Sequence, residues 1–180
     1  IGIAERHDFI MAVVGWIDFE SASALDELER LARSPWLRGL RPMVQDIADP
    51  NWLLRPDFAP IFEAMQARGL RLDGLLKHGQ LPQLTELARR YPALPIVLDH
   101  GGKPPVVKGD SGAWAMAVAA LAACPSVYCK LSGLWSEAGD DHSPARIQPY
   151  VDHLVACFGA DRLMWGSDWP VLKAVEIGRA

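Results

Sequence analysis

Short apolar runs recur along this chain, each bounded by turn residues and each followed by a longer stretch with helical periodicity. The runs begin near Val13, Leu37, Leu70, Leu94, Val127 and Leu163. Their average spacing is about 30 residues, the length of one βα repeat. Leu25, Leu28 and Leu31 form an apolar stripe after Ser21 and Ser23. Phe58, Ile61, Phe62 and Met65 follow Asp57 and stop at Gly69. Leu81, Leu84 and Leu87 make a third stripe, and Trp114, Val118 and Leu121 a fourth, after Ser111. The last, Ile147 to Phe158, follows Ser143-Pro144 and ends at Gly159. Ser or Asp ahead of a helix, Pro in its first turn and Gly behind it are start and stop signals. The pattern predicts an α/β protein with a parallel sheet.

Polar residues cluster where the apolar runs end. Ile96 to Leu98 leads to Asp99-His100, Val127 to Cys129 leads to Lys130, and Leu163 to Trp165 leads to Gly166-Ser167-Asp168-Trp169-Pro170. Upstream, Val13-Val14 leads to Trp16 and Asp18, and Leu40 to Arg41. Parallel α/β sheets bind ligands beyond the carboxyl ends of their strands. An open nucleotide-binding sheet needs a Gly-rich turn after its first strand, and neither GxGxxG nor a Walker loop is present. Candidate residues instead follow several different strands, as in a (β/α)8 TIM barrel. Eight such units need about 240 residues or more. With room for six, the chain is expected to form an incomplete barrel, as one domain over residues 1–180. The stretches Gly101 to Asp110 and Leu134 to Ser143 read as loops over the site.

Composition narrows the function. The net charge is -4, with Arg and Lys scattered among acids, so nucleic acid and anionic membrane surfaces are not expected partners. No apolar stretch approaches the roughly 20 residues that span a bilayer. Three cysteines without CxxC spacing fit a reducing cytoplasm better than a disulfide framework. No signal peptide is legible, and because the chain opens on Ile1 its start is expected to lie upstream.

Asp168 is the foremost catalytic candidate, since a carboxylate just past a buried strand can act as a general base toward water or as a metal ligand. The competing reading is a turn cap. His100 can hydrogen-bond a substrate carbonyl or bind a metal, against a purely structural role. By strand alternation Asp99 is expected to face away from His100. Arg41 and Lys130 can polarise a carbonyl or hold a carboxylate. They can equally form buried ion pairs with Asp18, Asp73 or Asp99. Trp16 and Trp169 are aromatic candidates for lining a substrate pocket, with packing as the alternative. Cys129 has no evident activating base and is not expected to be a nucleophile.

The strings VVGWIDF, LRGLRPM, LRLDGLL, IVLDHGGKP, YCKLSGL and RLMWGSDWPV occur here in this order. In them the chain resembles the amidohydrolase-2 family of the amidohydrolase superfamily. It is most similar to the sugar-lactonase branch of L-fuconolactonase-like and L-rhamnonolactonase-like proteins. The 2-pyrone-4,6-dicarboxylate lactonases are more distant. The resemblance runs from about Val13 to Val171. It implies a (β/α)8 barrel of which these runs are the third to eighth strands. It also implies that Asp168 activates the hydrolytic water, that His100 belongs to the site, and that Lys130 and Arg41 support the site or contact substrate. Metal use varies in the family, so one divalent ion such as zinc, held by His100 and Asp168, is one implied state and no metal is the other. The family's first-strand His-x-His pair is absent from this chain. Its first two strands are expected to lie before Ile1, and Leu172 to Ala180 is too short for the last helix.

The expectation is therefore a hydrolase that opens a sugar-acid lactone, with a small-molecule substrate and an open oligomeric state. Two rivals remain: a metal-dependent decarboxylase on the same fold, and an inactive remnant or binding protein.

Overall fold

Six short strands in the computed structural model, which describes residues 1–141 and 143–173, lie side by side in chain order. They are β1 (Val13–Gly15), β2 (Leu37–Leu40), β3 (Arg71–Gly74), β4 (Ile96–Leu98), β5 (Val127–Leu131) and β6 (Leu163–Trp165). Every neighbouring pair is parallel. Five helices form the crossovers: α1 (Ala24–Leu31), α2 (Ala59–Ala67), α3 (Leu81–Arg90), α4 (Gly112–Ala122) and α5 (Pro144–Phe158). Right-handed crossovers between sequential neighbours put all the helices on one face of the sheet. The sheet curls about the opposite, concave face, because side chains from the ends of β2 and β4, and from β3 and β5, meet there across one intervening strand. This is a six-stranded parallel half-barrel.

Strand alternation separates the two faces. Leu72, Ile96, Leu98, Val127 and Cys129 point outward and are fully buried under the helices. Against them pack Leu28, Phe62, Met65, Leu84, Val118 and Leu154, in one contiguous core that runs from Ile17 to Phe158. The stripes at Phe58 to Met65, Leu81 to Leu87 and Trp114 to Leu121 are all buried. In the first stripe only Leu28 is fully buried, while Leu25 is exposed. The concave face carries Asp73 and Val97 in register with each other, and Lys130 in register with Met164. An apolar outside and a polar inside place the chemistry on the concave side, at the strands' carboxyl ends.

The caps differ from expectation. Ser23, Ser111 and Ser143 occupy the N-cap positions of α1, α4 and α5, but none makes a side-chain capping bond. Ser23 instead hydrogen-bonds Ser21 through their hydroxyls. Among the described residues no helix is long and apolar enough to cross a membrane. The expectation about the final helix falls mostly on residues 174–180, which lie outside the described residues, as does His142.

Candidate active site

Beyond the carboxyl ends of the strands lies a cleft of about 560 Å³, lined by Arg41, Asp99, His100, Lys130, Asp168 and Trp169 among others. Five of the six residues singled out from the sequence therefore share one space. The sixth, Trp16, lines a separate hollow of about 160 Å³ with Asp18, Phe19 and Trp52. It directly follows the edge strand β1 and is not among the residues that line the cleft.

The acid and the histidine meet. His100 Nε2 lies 3.5 Å from Asp168 Oδ1, and both side chains are largely buried, at 15% and 10% exposure. Asp168 has φ of +56°, and its other carboxylate oxygen accepts a hydrogen bond of 2.7 Å from Ser136 Oγ. Its side chain is thus turned to the cleft, while its backbone carbonyl accepts the Leu172 N–H that starts the next turn.

The expected opposition of Asp99 and His100 does not hold. β4 stops at Leu98, and Asp99–Gly102 form a tight 3-10 turn in which His100 has φ of 51° and ψ of 41°. That left-handed backbone breaks the alternation, so adjacent side chains both face the cleft. The turn is braced from outside, where Trp114 Nε1 on α4 donates to the Gly101 carbonyl at 2.8 Å. Gly133, itself at φ of +65°, passes close to the imidazole. A Cβ there would come within 2.7 Å of His100 Cγ.

Beside this pair is an ionic cluster built on two buried carboxylates. Lys130 Nζ contacts both Asp73 and Asp99, and Arg41 Nη1 contacts Asp99 Oδ2 at 3.2 Å. The ion-pair alternative for the two cations is what the structure contains, with Asp73 and Asp99 as partners. Burial alone would push Asp99 up, but Lys130, His100 and Arg41 together hold it below the usual carboxylate range. Asp73 is pushed upward by burial, against the pull of Lys130. Burial works against the Lys130 charge as well, yet the hydrogen bond and charge of Asp73, with Asp99, keep it above the usual lysine range. Burial lowers His100, outweighing the attraction of Asp99 and Asp168, so its imidazole is neutral near pH 7. Cys129, on the outer face, is pushed up to about 12 by burial and is no nucleophile.

Ser132, Gly133 and Ser136 were not among the residues proposed from the sequence, and Asp73 entered only as an alternative ion-pair partner for the two cations. Period-two alternation in LRLDGLL places Asp73 on the polar face, and a Ser-Gly pair directly after β5 is a readable turn signal. Ser136 sits in the 3-10 turn Trp135–Glu137, where no sequence pattern marks it.

A parallel βα half-barrel with its polar groups gathered beyond the carboxyl ends of several strands has the layout of a (β/α) barrel. The amidohydrolase family model matches residues 2–175, and the chain belongs to that family. It is 50% identical over 173 residues to an L-fucono-1,5-lactonase of Burkholderia ambifaria, a match covering 96% of this chain and 60% of that protein. An L-fucono-1,5-lactonase of Burkholderia multivorans is 39% identical, over 90% of this chain and 58% of its own length. The crystal structure of an amidohydrolase from Burkholderia multivorans with bound zinc superposes with a TM-score of 0.87 at 35% identity. That superposition covers 98% of this chain and 66% of that one. The chain thus spans about three fifths of the length of these relatives.

Proposed function

We propose that the protein carrying this chain hydrolyses a sugar-acid lactone, opening the ring to a hydroxy acid. The observation that carries this reading is the contact between His100 and Asp168, brought together from the ends of β4 and β6. In the reaction a water oxygen attacks the lactone carbonyl carbon while Asp168 takes its proton. Neutral His100 donates from Nε2 to the oxyanion that forms on the carbonyl oxygen. The ring C–O bond then breaks, and the proton on Asp168 passes to the leaving alkoxide. The six strands correspond in this reading to the third to eighth of a (β/α)8 barrel, as a single domain over residues 1–180.

The substrate class is supported by the two L-fucono-1,5-lactonases among the relatives. The cleft is nearly charge-balanced, since Lys130 and Arg41 are paired with Asp73 and Asp99, and Lys103 with Glu137 at 3.0 Å. Paired cations suit an uncharged, hydroxyl-rich ring better than a polyanion, and Trp169 offers an apolar surface at the rim. Free Cys124, Cys129 and Cys157 support a reducing compartment, the cytoplasm.

Zinc occupies the Burkholderia multivorans amidohydrolase structure. In this chain His100 Nε2 and Asp168 Oδ1 are two donors facing one point, and among the described residues no group of three His, Cys, Asp or Glu could hold a metal. Catalytic zinc takes three protein ligands. The residues present do not make a zinc site by themselves, and the steps above use Asp168 and His100 alone.

Assays of L-fucono-1,5-lactone hydrolysis by the protein carrying this chain test the reading. Asp168→Asn keeps the size of the side chain but cannot take the water proton, and should lower kcat by about 10²–10⁴-fold. Activity within a few-fold of wild type would reduce Asp168 to a structural residue and sink the mechanism.

A further inference from the structure

The segment leaving β5 touches both halves of the proposed catalytic pair. Ser132 Oγ is 2.9 Å from His100 Nδ1, and Ser136 Oγ donates to Asp168 Oδ2 at 2.7 Å. Ser132 is buried, and the next residue, Gly133, passes so near the imidazole that a Cβ there would meet Cγ and Nδ1 at 2.7 Å.

A neutral imidazole carries one N–H, on either nitrogen. With the proton on Nδ1, the lone pair of Nε2 would face the Asp168 carboxylate 3.5 Å away, an electrostatic conflict. With the proton on Nε2, that N–H faces the carboxylate, and Nδ1 needs a donor. The Ser132 hydroxyl is that donor, free to rotate its proton onto Nδ1. On Asp168, the Ser136 bond to Oδ2 leaves Oδ1 turned to His100 and the open cleft.

We propose that Ser132 and Ser136 are positioning residues for the lactone hydrolysis: Ser132 holds His100 in the tautomer protonated on Nε2, and Ser136 pins Asp168 through Oδ2 so that Oδ1 faces the reacting water. The catalytic consequence rests on the lactonase reading; the tautomer does not. Because both serines leave the same strand, one loop sets the two partners relative to each other. The arrangement makes Nε2 a hydrogen-bond donor, the role an oxyanion partner requires.

The test is nitrogen-15 NMR of the labelled chain at about pH 8, with the His100 signals assigned by their loss in His100→Gln. The wild type should show Nε2 protonated and Nδ1 bare. Ser132→Ala should shift the imidazole toward a mixture of tautomers, and Ser132→Thr should restore the wild-type pattern. In the lactonase assay, Ser132→Ala and Ser136→Ala should each lower kcat by about tenfold with KM little changed, as loss of one hydrogen bond in the transition state implies. If Ser132→Ala does not fold, Ser132→Cys, of similar volume but a weak donor, should show the same signature. Wild-type His100 protonated on Nδ1, unchanged imidazole shifts in the Ser132 variants, or undiminished kcat in an active enzyme each overturns the proposal. A tautomer change in a protein that hydrolyses no lactone leaves Ser132 as the orienting group and overturns the lactonase reading instead.

Discussion

Lys130 Nζ lies 2.9 Å from Asp99 Oδ1 while also contacting Asp73, so one cation on β5 binds carboxylates from β3 and from the end of β4. Both carboxylates are almost completely buried. Removing one partner of such a cluster leaves uncompensated charge in a low-dielectric site, which is far costlier than never having built the pair. Lys130→Met should therefore destabilise the chain by about 3 kcal/mol or more, read from urea unfolding midpoints. A loss below about 0.5 kcal/mol would place the cluster among surface ion pairs of little consequence.

His100 makes stability depend on pH in a defined direction. Its pKa in the folded chain is lowered by burial, so between that value and the ordinary histidine value near 6.5 the unfolded chain binds more protons. Stability from this group is fully present above pH 6.5 and is lost as pH falls through the lowered folded value. Unfolding midpoints of the wild type and His100→Gln, compared from about pH 8 to 5, should show a steeper acid loss in the wild type. Parallel curves would mean that His100 is not buried in its neutral form.

The fold was legible because its signals are local and periodic. Four of the six strands begin at the residues read from the sequence, Val13, Leu37, Val127 and Leu163, and the other two within two positions, at Arg71 and Ile96. The convergence of Arg41, His100, Lys130, Asp168 and Trp169 on one cleft follows from strand ends alone. What alternation misplaced was Asp99, because a left-handed His100 suspends the period-two rule within one turn. Ser136 was illegible for another reason. Its bond to Asp168 joins residues 32 apart in a 3-10 turn, where no hydrophobic pattern constrains the side chain.

Gly133 should be intolerant where Gly69 is not. Both have positive φ, so alanine at either pays about 1–2 kcal/mol for left-handed backbone. Nothing lies within 4 Å of a Cβ at Gly69, whereas at Gly133 it would meet His100 Cγ at 2.7 Å. Gly133→Ala should thus cost more stability than Gly69→Ala and displace the imidazole. The two thermal unfolding curves, with the His100 ring signals as a local reporter, check this. Equal losses and an undisturbed ring would show that the close approach yields easily.

The outer strands govern how the chain behaves at high concentration. β1 and β6 end the sheet, each paired on one side among the described residues. Beside them stand exposed apolar side chains: Val14 and Trp16 by β1, Met164 and Trp165 on β6, with Trp165 80% exposed. An unpaired strand edge flanked by apolar surface is a template for pairing with another chain. The 180-residue chain should therefore self-associate as its concentration rises. Sedimentation velocity across a range of about 5 to 200 µM should show a growing mean sedimentation coefficient. Lysine on an edge strand opposes such pairing by placing a solvated charge where a partner's backbone would dock. Trp165→Lys should accordingly shift the association to higher concentration while leaving the helical signal intact, since the Trp165 side chain is exposed and no part of the buried core. A wild-type chain that stays monomeric throughout the range would show that the curl of the sheet already protects both edges.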